Sequence, residues 1–325
     1  MKVGLVGSGK IASEYAKVIK FFKHDIQVLV TKNNSSSKKK FLKKFQIPNE
    51  ISDFNSAIKK YSDVHFWIIC GSPESLLSNL KIAINNNIKF LNERSILVNS
   101  KELKKLILRK NLENCYIAYN RNFFDFIPNL IRNLKKNNLQ KITINMADPY
   151  SDIIDKKGKK FKKNLVKFMT SHWIALILKI LENLNYKMNS KDKIKYFSKG
   201  YLGHKFLYFV AKNAKKKILV NLNLIPNNPS NTSIFFLGLN KNILLEPIEK
   251  MTIFSGIEKK VVNNQNIYKP ICKIKKTNDK FKPGFKLMYK SFFEKVILKK
   301  KNNLLINLND LVNIYIMCEI FEKDF

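Results

Sequence analysis

The first twelve residues constrain this chain more than any other stretch. An apolar run from Val3 to Val6 leads straight into Gly7-Ser8-Gly9-Lys10-Ile11-Ala12, and an amphipathic pattern follows. A strand, a glycine-rich turn and a helix start, in that order, open a sheet that binds the diphosphate of a dinucleotide. Gly7 suits the tight turn, and Gly9 lets the backbone approach a phosphate with no side chain between them. Ala12, small like the usual third glycine, lets the helix pack closely on the strand. The amides and the positive end of that helix then face the diphosphate. Gly7, Ser8, Gly9, Lys10 and Ile11 are therefore candidate cofactor-binding residues.

With 325 residues the chain suits two domains and a substantial core. No leader is expected before the first strand, and no apolar run is long enough for a bilayer span. The four cysteines, Cys70, Cys115, Cys272 and Cys318, are far apart, lack metal-ligand spacing and lie mostly in apolar runs. They read as buried free thiols of a cytoplasmic protein, and no metal is expected. The formal net charge of +37 invites a nucleic-acid reading. Against it, only four of the 61 basic residues are arginine (Arg94, Arg109, Arg121 and Arg132). Nucleic-acid surfaces lean on arginine for bidentate contacts, and no known binding motif is present. The lysines are scattered and read as a solvated surface that favours small anionic ligands.

Two halves differ in rhythm. Residues 1–120 alternate expected strands (2–6, 26–30, 65–70, 89–91, 115–119) with helices starting near Ile11, Lys38, Phe54, Glu74 and Lys101, the βαβ pattern of a parallel sheet. Residues 121–325 read as an antiparallel sheet with few helices. Its expected strands are 141–147, 193–197, 204–210, 217–223, 233–237, 250–254 and 258–262. Its main helix is 171–184, and a closing helix spans 308–321. The expected fold class is thus α/β: an N-terminal Rossmann-like domain with a parallel sheet, then a C-terminal α+β domain with an antiparallel sheet and few helices. Open sheets often bury their exposed face against a twin, so a homo-oligomer is expected.

A sheet specific for NAD usually places an acidic residue after its second strand to hold the ribose 2′-hydroxyl. Here that strand ends in Thr31-Lys32-Asn33-Asn34-Ser35-Ser36-Ser37-Lys38. Hydroxyls and lysines without a carboxylate suit a 2′-phosphate, so NADP(H) is expected in preference to NAD(H), with Thr31 and Lys32 as contacts.

Further along, Asp63 to Pro73 resembles the fourth strand and following turn of the Gfo/Idh/MocA oxidoreductases, which places Ser72 and Pro73 at the cofactor. Glu93-Arg94-Ser95 falls where that family carries Glu-Lys-Pro. Tyr119-Asn120-Arg121-Asn122-Phe123 resembles the segment that crosses into its second domain, and Ser171-His172 falls at its catalytic histidine. Leu245 to Glu249 and Lys282 to Phe285 resemble later parts of the sheet domain and the helix after it. The resemblance covers nearly the whole chain in order. It implies an N-terminal Rossmann domain with a parallel sheet, a C-terminal α+β domain with an open antiparallel sheet for substrate binding and oligomerisation, and an NAD(P)-dependent enzyme that moves a hydride to or from a sugar, nucleotide-sugar or cyclitol. Glu93 would then lie at the cofactor, Tyr119, Asn120 and Arg121 at the substrate, and His172 and Arg94 at the reacting centre.

Two positions depart from the family pattern. Arg94 replaces its lysine and cannot shuttle a proton, although it can anchor a substrate oxygen. Phe168 replaces the aspartate four residues before the histidine and cannot orient His172. The remaining candidate proton carrier is His172, which a helix N-terminus would bias toward neutral imidazole; Tyr119 is second. A family member that keeps the cofactor site yet does no redox chemistry, as a sensor or assembly partner, is the alternative.

Overall fold

The computed structural model describes all residues except 33–37, 95, 109–111, 189–194, 200–203, 278–279 and 323–325, and gives 188 and 195–199 as backbone only. Part of the expected 2′-phosphate loop, Ser95 and Arg109 thus lie outside the described residues. Six strands follow the expected rhythm: β1 (Lys2–Val6), β2 (Asp25–Val30), β3 (Glu50–Ile51), β4 (Phe66–Ile69), β5 (Phe90–Glu93) and β6 (Cys115–Ala118). Between them run α1 (Lys10–Phe21), α2 (Lys38–Phe45), α3 (Phe54–Lys60), α4 (Pro73–Asn85) and α5 (Ser100–Ile107). The strands pair in parallel in the order β3-β2-β1-β4-β5-β6. This is the doubly wound order, whose direction reverses between β1 and β4. Helices cover both faces, so β1, β4 and β6 are almost wholly buried and read as continuous apolar runs rather than alternating ones.

The second sheet comes from β7 (Leu139–Met146), β8 (Lys187–Met188), β9 (Lys195–Lys199), β10 (His204–Lys212), β11 (Lys217–Leu224), β12 (Ser233–Gly238), β13 (Asn242–Leu245), β14 (Lys250–Val262) and β15 (Gln265–Lys276). Its order is β15-β14-β13-β12-β7-β11-β10-β8, with β9 on β10, and every pairing is antiparallel except β7 with β11. Burial alternates along β7, β10 and β11 because one face carries helices and the other is open. The helices are α6 (Ile127–Lys136), α7 (Tyr150–Lys157) and α8 (Ser171–Asn183). Residues expected as two strands, 250–254 and 258–262, form the single strand β14, whose register shifts between Phe254 and Gly256. Beyond that bulge β14 and β15 continue as a two-stranded ribbon exposed on both faces, with Ile257, Val261 and Tyr268 each more than 60% exposed. Cys272 lies on this ribbon and is exposed, contrary to the expectation of four buried thiols; Cys70, Cys115 and Cys318 are buried.

Residues 279–319, expected in the second domain, cluster with the first. The chain forms two compact units, residues 1–123 with 279–319, and residues 124–278 with 320–325. In the return segment lie α9 (Phe285–Val296), β16 (Ile306–Asn307) and α10 (Leu308–Glu322). β16 pairs antiparallel with β6 and extends the first sheet. Phe285, Met288, Tyr289, Phe292 and Val296 place the apolar stripe of α9 in the core of the first unit, together with Val3, Tyr15, Ile19, Phe66 and Tyr116. Phe292 meets Phe66 edge-on at 5.4 Å, and the Tyr289 hydroxyl lies 2.7 Å from Nδ1 of His24. The strands and helices of residues 1–123 leave an apolar face uncovered, and the stripe of α9 fills it.

Truncating Phe292 to Ala, which leaves a void in that core, is expected to lower unfolding stability by about 3–5 kcal/mol. Denaturant melts check this, with the half-exposed Phe21 changed to Ala as the control that shows little change. Equal small losses at both positions would remove α9 from the core of the first unit.

Candidate active site

The site grows from the carboxyl end of β1. Gly7 has φ 98° and sits so close to β4 that a Cβ would lie 1.9 Å from the Cys70 carbonyl oxygen. Its amide donates to the Val30 carbonyl of β2 at 2.7 Å, and the Cys70 amide donates to Val6 at 2.8 Å. Glycine is required here on both counts. Gly9 differs: it caps α1 in extended backbone (φ −80°), and a Cβ there would meet nothing within 4 Å. No side chain caps α1 and no acidic residue stands in its first turn. The amides that open α1 therefore face open space, a cradle that fits a phosphate. Beside it the hydroxyls of Ser8 and Thr31 lie 3.2 Å apart, which joins the glycine turn to the end of β2, where Lys32 is exposed. Ser72 and Pro73 open α4 directly after β4, with Pro73 in its first turn.

Glu93 ends β5. The residue keeps some exposure, while its carboxyl is packed deep enough for burial to hold it above the usual carboxylate range, against the opposing pull of Arg94, the Tyr15 hydroxyl and Lys282. Tyr15 of α1 donates to Glu93 Oε1 at 3.0 Å. Burial, with the Glu93 charge beside it, keeps that phenol well above its ordinary range, so it acts as a fixed donor. Cys70, also raised by burial, remains a thiol. Tyr15 and Lys282 were not anticipated as site residues. Tyr15 reads in sequence only as one of the apolar stripe Ala12, Tyr15, Ala16 and Ile19, and Lys282 is one lysine among many.

The expected substrate residues divide. Tyr119 is fully buried, and so forms part of the floor and presents no surface for proton exchange. Asn120 donates through its side chain to the Pro283 carbonyl at 2.8 Å. Arg121 follows in the single 3₁₀ turn after β6 and is partly exposed.

In the second unit, His172 is 6% exposed. It is the second residue of α8, the helix expected there, but α8 has no free start. A π-helical turn, Val166–Thr170, runs without a break into α8, so the amides around His172 lie inside a helical run rather than at its free end. The carboxylate that organises this region is Asp148, which accepts from Thr170 Oγ1 at 2.6 Å and from Trp173 Nε1 at 3.0 Å. Phe168 packs edge-on against Phe161. Among the described residues no group of histidine, cysteine or acidic side chains could hold a metal ion.

No protein-family model matches the chain, and no curated protein matches its sequence. Solved structures do. A dehydrogenase from Chromobacterium violaceum superposes with a TM-score of 0.73 at 13% identity, over 98% of this chain and 93% of that one. Levoglucosan dehydrogenase, solved with NADH and levoglucosan, gives 0.72 at 10% identity over 99% and 95%. A scyllo-inositol dehydrogenase from Lactobacillus casei gives 0.69 at 12% identity over 100% and 96%. The chain has the fold of these proteins over its full length.

Two substitutions separate the roles of the glycines. Gly7→Ala is expected to cost about 2 kcal/mol or more through strain and the clash with Cys70, whereas Gly9→Asp, a better cap, should leave stability equal or raised by about 0.5 kcal/mol. Thermal melts showing the reverse order would refute this geometry. Glu93 gives a pH signature. Its ionised form costs stability because burial raises its folded value, and that cost sets in as the pH rises above about 4.5, the ordinary value. Glu93→Gln should therefore be more stable than the wild type at neutral pH, with the gap closing in acid; a gap that widens in acid would contradict the burial.

Proposed function

We propose that this chain is an NADP(H)-preferring oxidoreductase that moves a hydride to or from a CH–OH group of a sugar, nucleotide-sugar or cyclitol. The observation that carries the reading is the uncapped start of α1 beside Gly7 and Gly9, at the point where the strand order reverses. Gly7, Ser8, Gly9, Lys10 and Ile11 hold the diphosphate through amides and the helix end. Thr31 and Lys32 face the adenosine ribose, and the sequence from Thr31 to Lys38 carries no carboxylate to exclude a 2′-phosphate. Ser72, Pro73 and Glu93 line the path from β4 to β5 toward the nicotinamide. A bound nicotinamide supplies the hydride donor or acceptor, so the chain itself needs only to hold the substrate carbon and exchange one proton.

Arg94 binds the substrate oxygen as a fixed cation and stabilises negative charge that develops there. Asn120 and Arg121 shape the substrate side, and His172 is the catalytic candidate outside this unit. The neighbours named for inositol and levoglucosan support a polyhydroxylated substrate, and the +37 balance favours one that carries an anionic group. The protein works in the cytoplasm as a homo-oligomer; the open sheet face and the apolar residues of the β14–β15 ribbon support a second copy as partner. Among the described residues no helix is long and apolar enough to cross a membrane.

Titration of the purified chain with NADPH and NADH, followed by cofactor fluorescence, tests this. The wild type should prefer NADPH, Lys32→Glu should lose about tenfold or more for NADPH and little for NADH, and Gly9→Asp should lose both. Equal loss of the two with Lys32→Glu would discard the 2′-phosphate reading. Binding of neither by the wild type would leave a non-catalytic member of the fold.

A further inference from the structure

The segment that returns to the first unit carries a cation to the end of β5. Lys282 stands in the turn before α9, and two contacts fix that turn. Asn120 holds the Pro283 carbonyl, and Gly284, at φ 80°, comes so near the Asn120 carbonyl that a Cβ would lie 2.0 Å from its oxygen. Lys282 Nζ lies 4.9 Å from the centre of the Phe285 ring. Phe285 lies 4.9 Å from the ring of Tyr15, and the Tyr15 hydroxyl donates to Glu93. The amine is thereby set within electrostatic reach of Glu93 and Arg94 at the end of β5, Glu14 of α1 and Arg121 after β6. Lys282 is exposed as a residue, so a ligand at this edge can meet it.

Of the three cations here, only one can give up its charge. The guanidinium groups of Arg94 and Arg121 do not deprotonate in proteins. The lysine amine can, and its surroundings favour it. Desolvation lowers its pKa below the usual lysine range; Glu93 pulls it back, Arg94 lowers it again, and Glu14 and Arg121 oppose one another more weakly. A proton carrier works best with a pKa near the working pH, and a lowered lysine approaches that condition.

We propose that Lys282 is the group that exchanges the hydroxyl proton of the substrate. The proposal rests on the dehydrogenase reading above. In the oxidative direction the O–H bond breaks toward the Nζ lone pair, which becomes an ammonium, and a carbon–oxygen double bond forms. The C–H electron pair leaves as hydride to an oxidised nicotinamide. Reduction runs the same transfers backward, with the ammonium giving the proton. Arg94 stays charged throughout and holds the oxygen.

Competitive acetylation of the full chain with acetic anhydride, read lysine by lysine by mass spectrometry from about pH 6 to about pH 11, tests the amine without any substrate. Lys282 should become reactive at lower pH than the other lysines, and NADPH should protect it. Turnover is then followed with scyllo-inositol, levoglucosan and glucose 6-phosphate. Lys282→Met should keep dinucleotide affinity within about twofold and lose about 100-fold or more in rate together with the acidic limb of the pH profile. Lys282→Arg should fail to restore either, because it returns the charge without the exchangeable proton. An ordinary acetylation profile for Lys282 in a chain that binds NADPH would overturn this role alone. So would unchanged turnover in Lys282→Met, or an acidic limb that disappears with His172→Gln instead. A wild type that binds neither dinucleotide would remove the dehydrogenase reading, and this role with it.

Discussion

β1 lies between β2 and β4, and the backbone of Gly7 joins the three strands at their carboxyl ends. Its amide ties the turn to Val30, and its bare Cα lies against the Cys70 carbonyl. A side chain there would push the turn away from β4 and rotate the start of α1. The placement of Ser8 against Thr31, the open amides after Gly9 and the reach of Tyr15 across to Glu93 all follow from that contact. The candidate site is therefore a consequence of how closely two strand ends approach, and one missing Cβ permits the approach.

The charges at this edge work against the general character of the chain. Most of its lysines face water, where they act mainly on solubility and on the long-range attraction of anions. Around Glu93 a carboxyl is held partly desolvated beside Tyr15, with Lys282 and Arg94 opposing that burial. A carboxyl and an amine whose surroundings move them in opposite directions mark a place where protonation is set by structure rather than by solvent. The buried Asp148 of the second unit makes a contrast. Thr170 and Trp173 satisfy it, and it serves to hold the turn that leads into α8.

Much of the fold was legible because its patterns are local. Five strands of the first sheet (β1, β2, β4, β5 and β6), the glycine turn and the start of each intervening helix appear as alternation or apolar runs bounded by turn residues, whereas the two-residue β3 and β16 are too short to leave a pattern. Ser8 and Thr31 were named as cofactor contacts, and they meet in space. Other features were illegible for physical reasons. β15 carries lysines, isoleucines and a proline in no clean alternation, because neither face of the ribbon is buried and no pattern is imposed on it. The start of the helical run before His172 was hidden because residues 166–170 wind into a π turn, which shifts the side-chain period away from 3.6.

What the sequence determined by itself is the βαβ alternation of the opening sheet, the mostly antiparallel character of the second and the glycine turn between β1 and α1, since each rests on the chemistry of neighbouring residues. Tertiary structure alone decided which unit owns residues 279–319. The stripe Phe285, Met288, Tyr289, Phe292 and Val296 shows that α9 must be buried, but not against what. Only the uncovered face of the first sheet supplies that answer, and in filling it α9 brings Lys282 to Glu93. Pairings across more than a hundred residues are fixed by complementary shape and by the entropy that folding must overcome, and neither is written in local spacing.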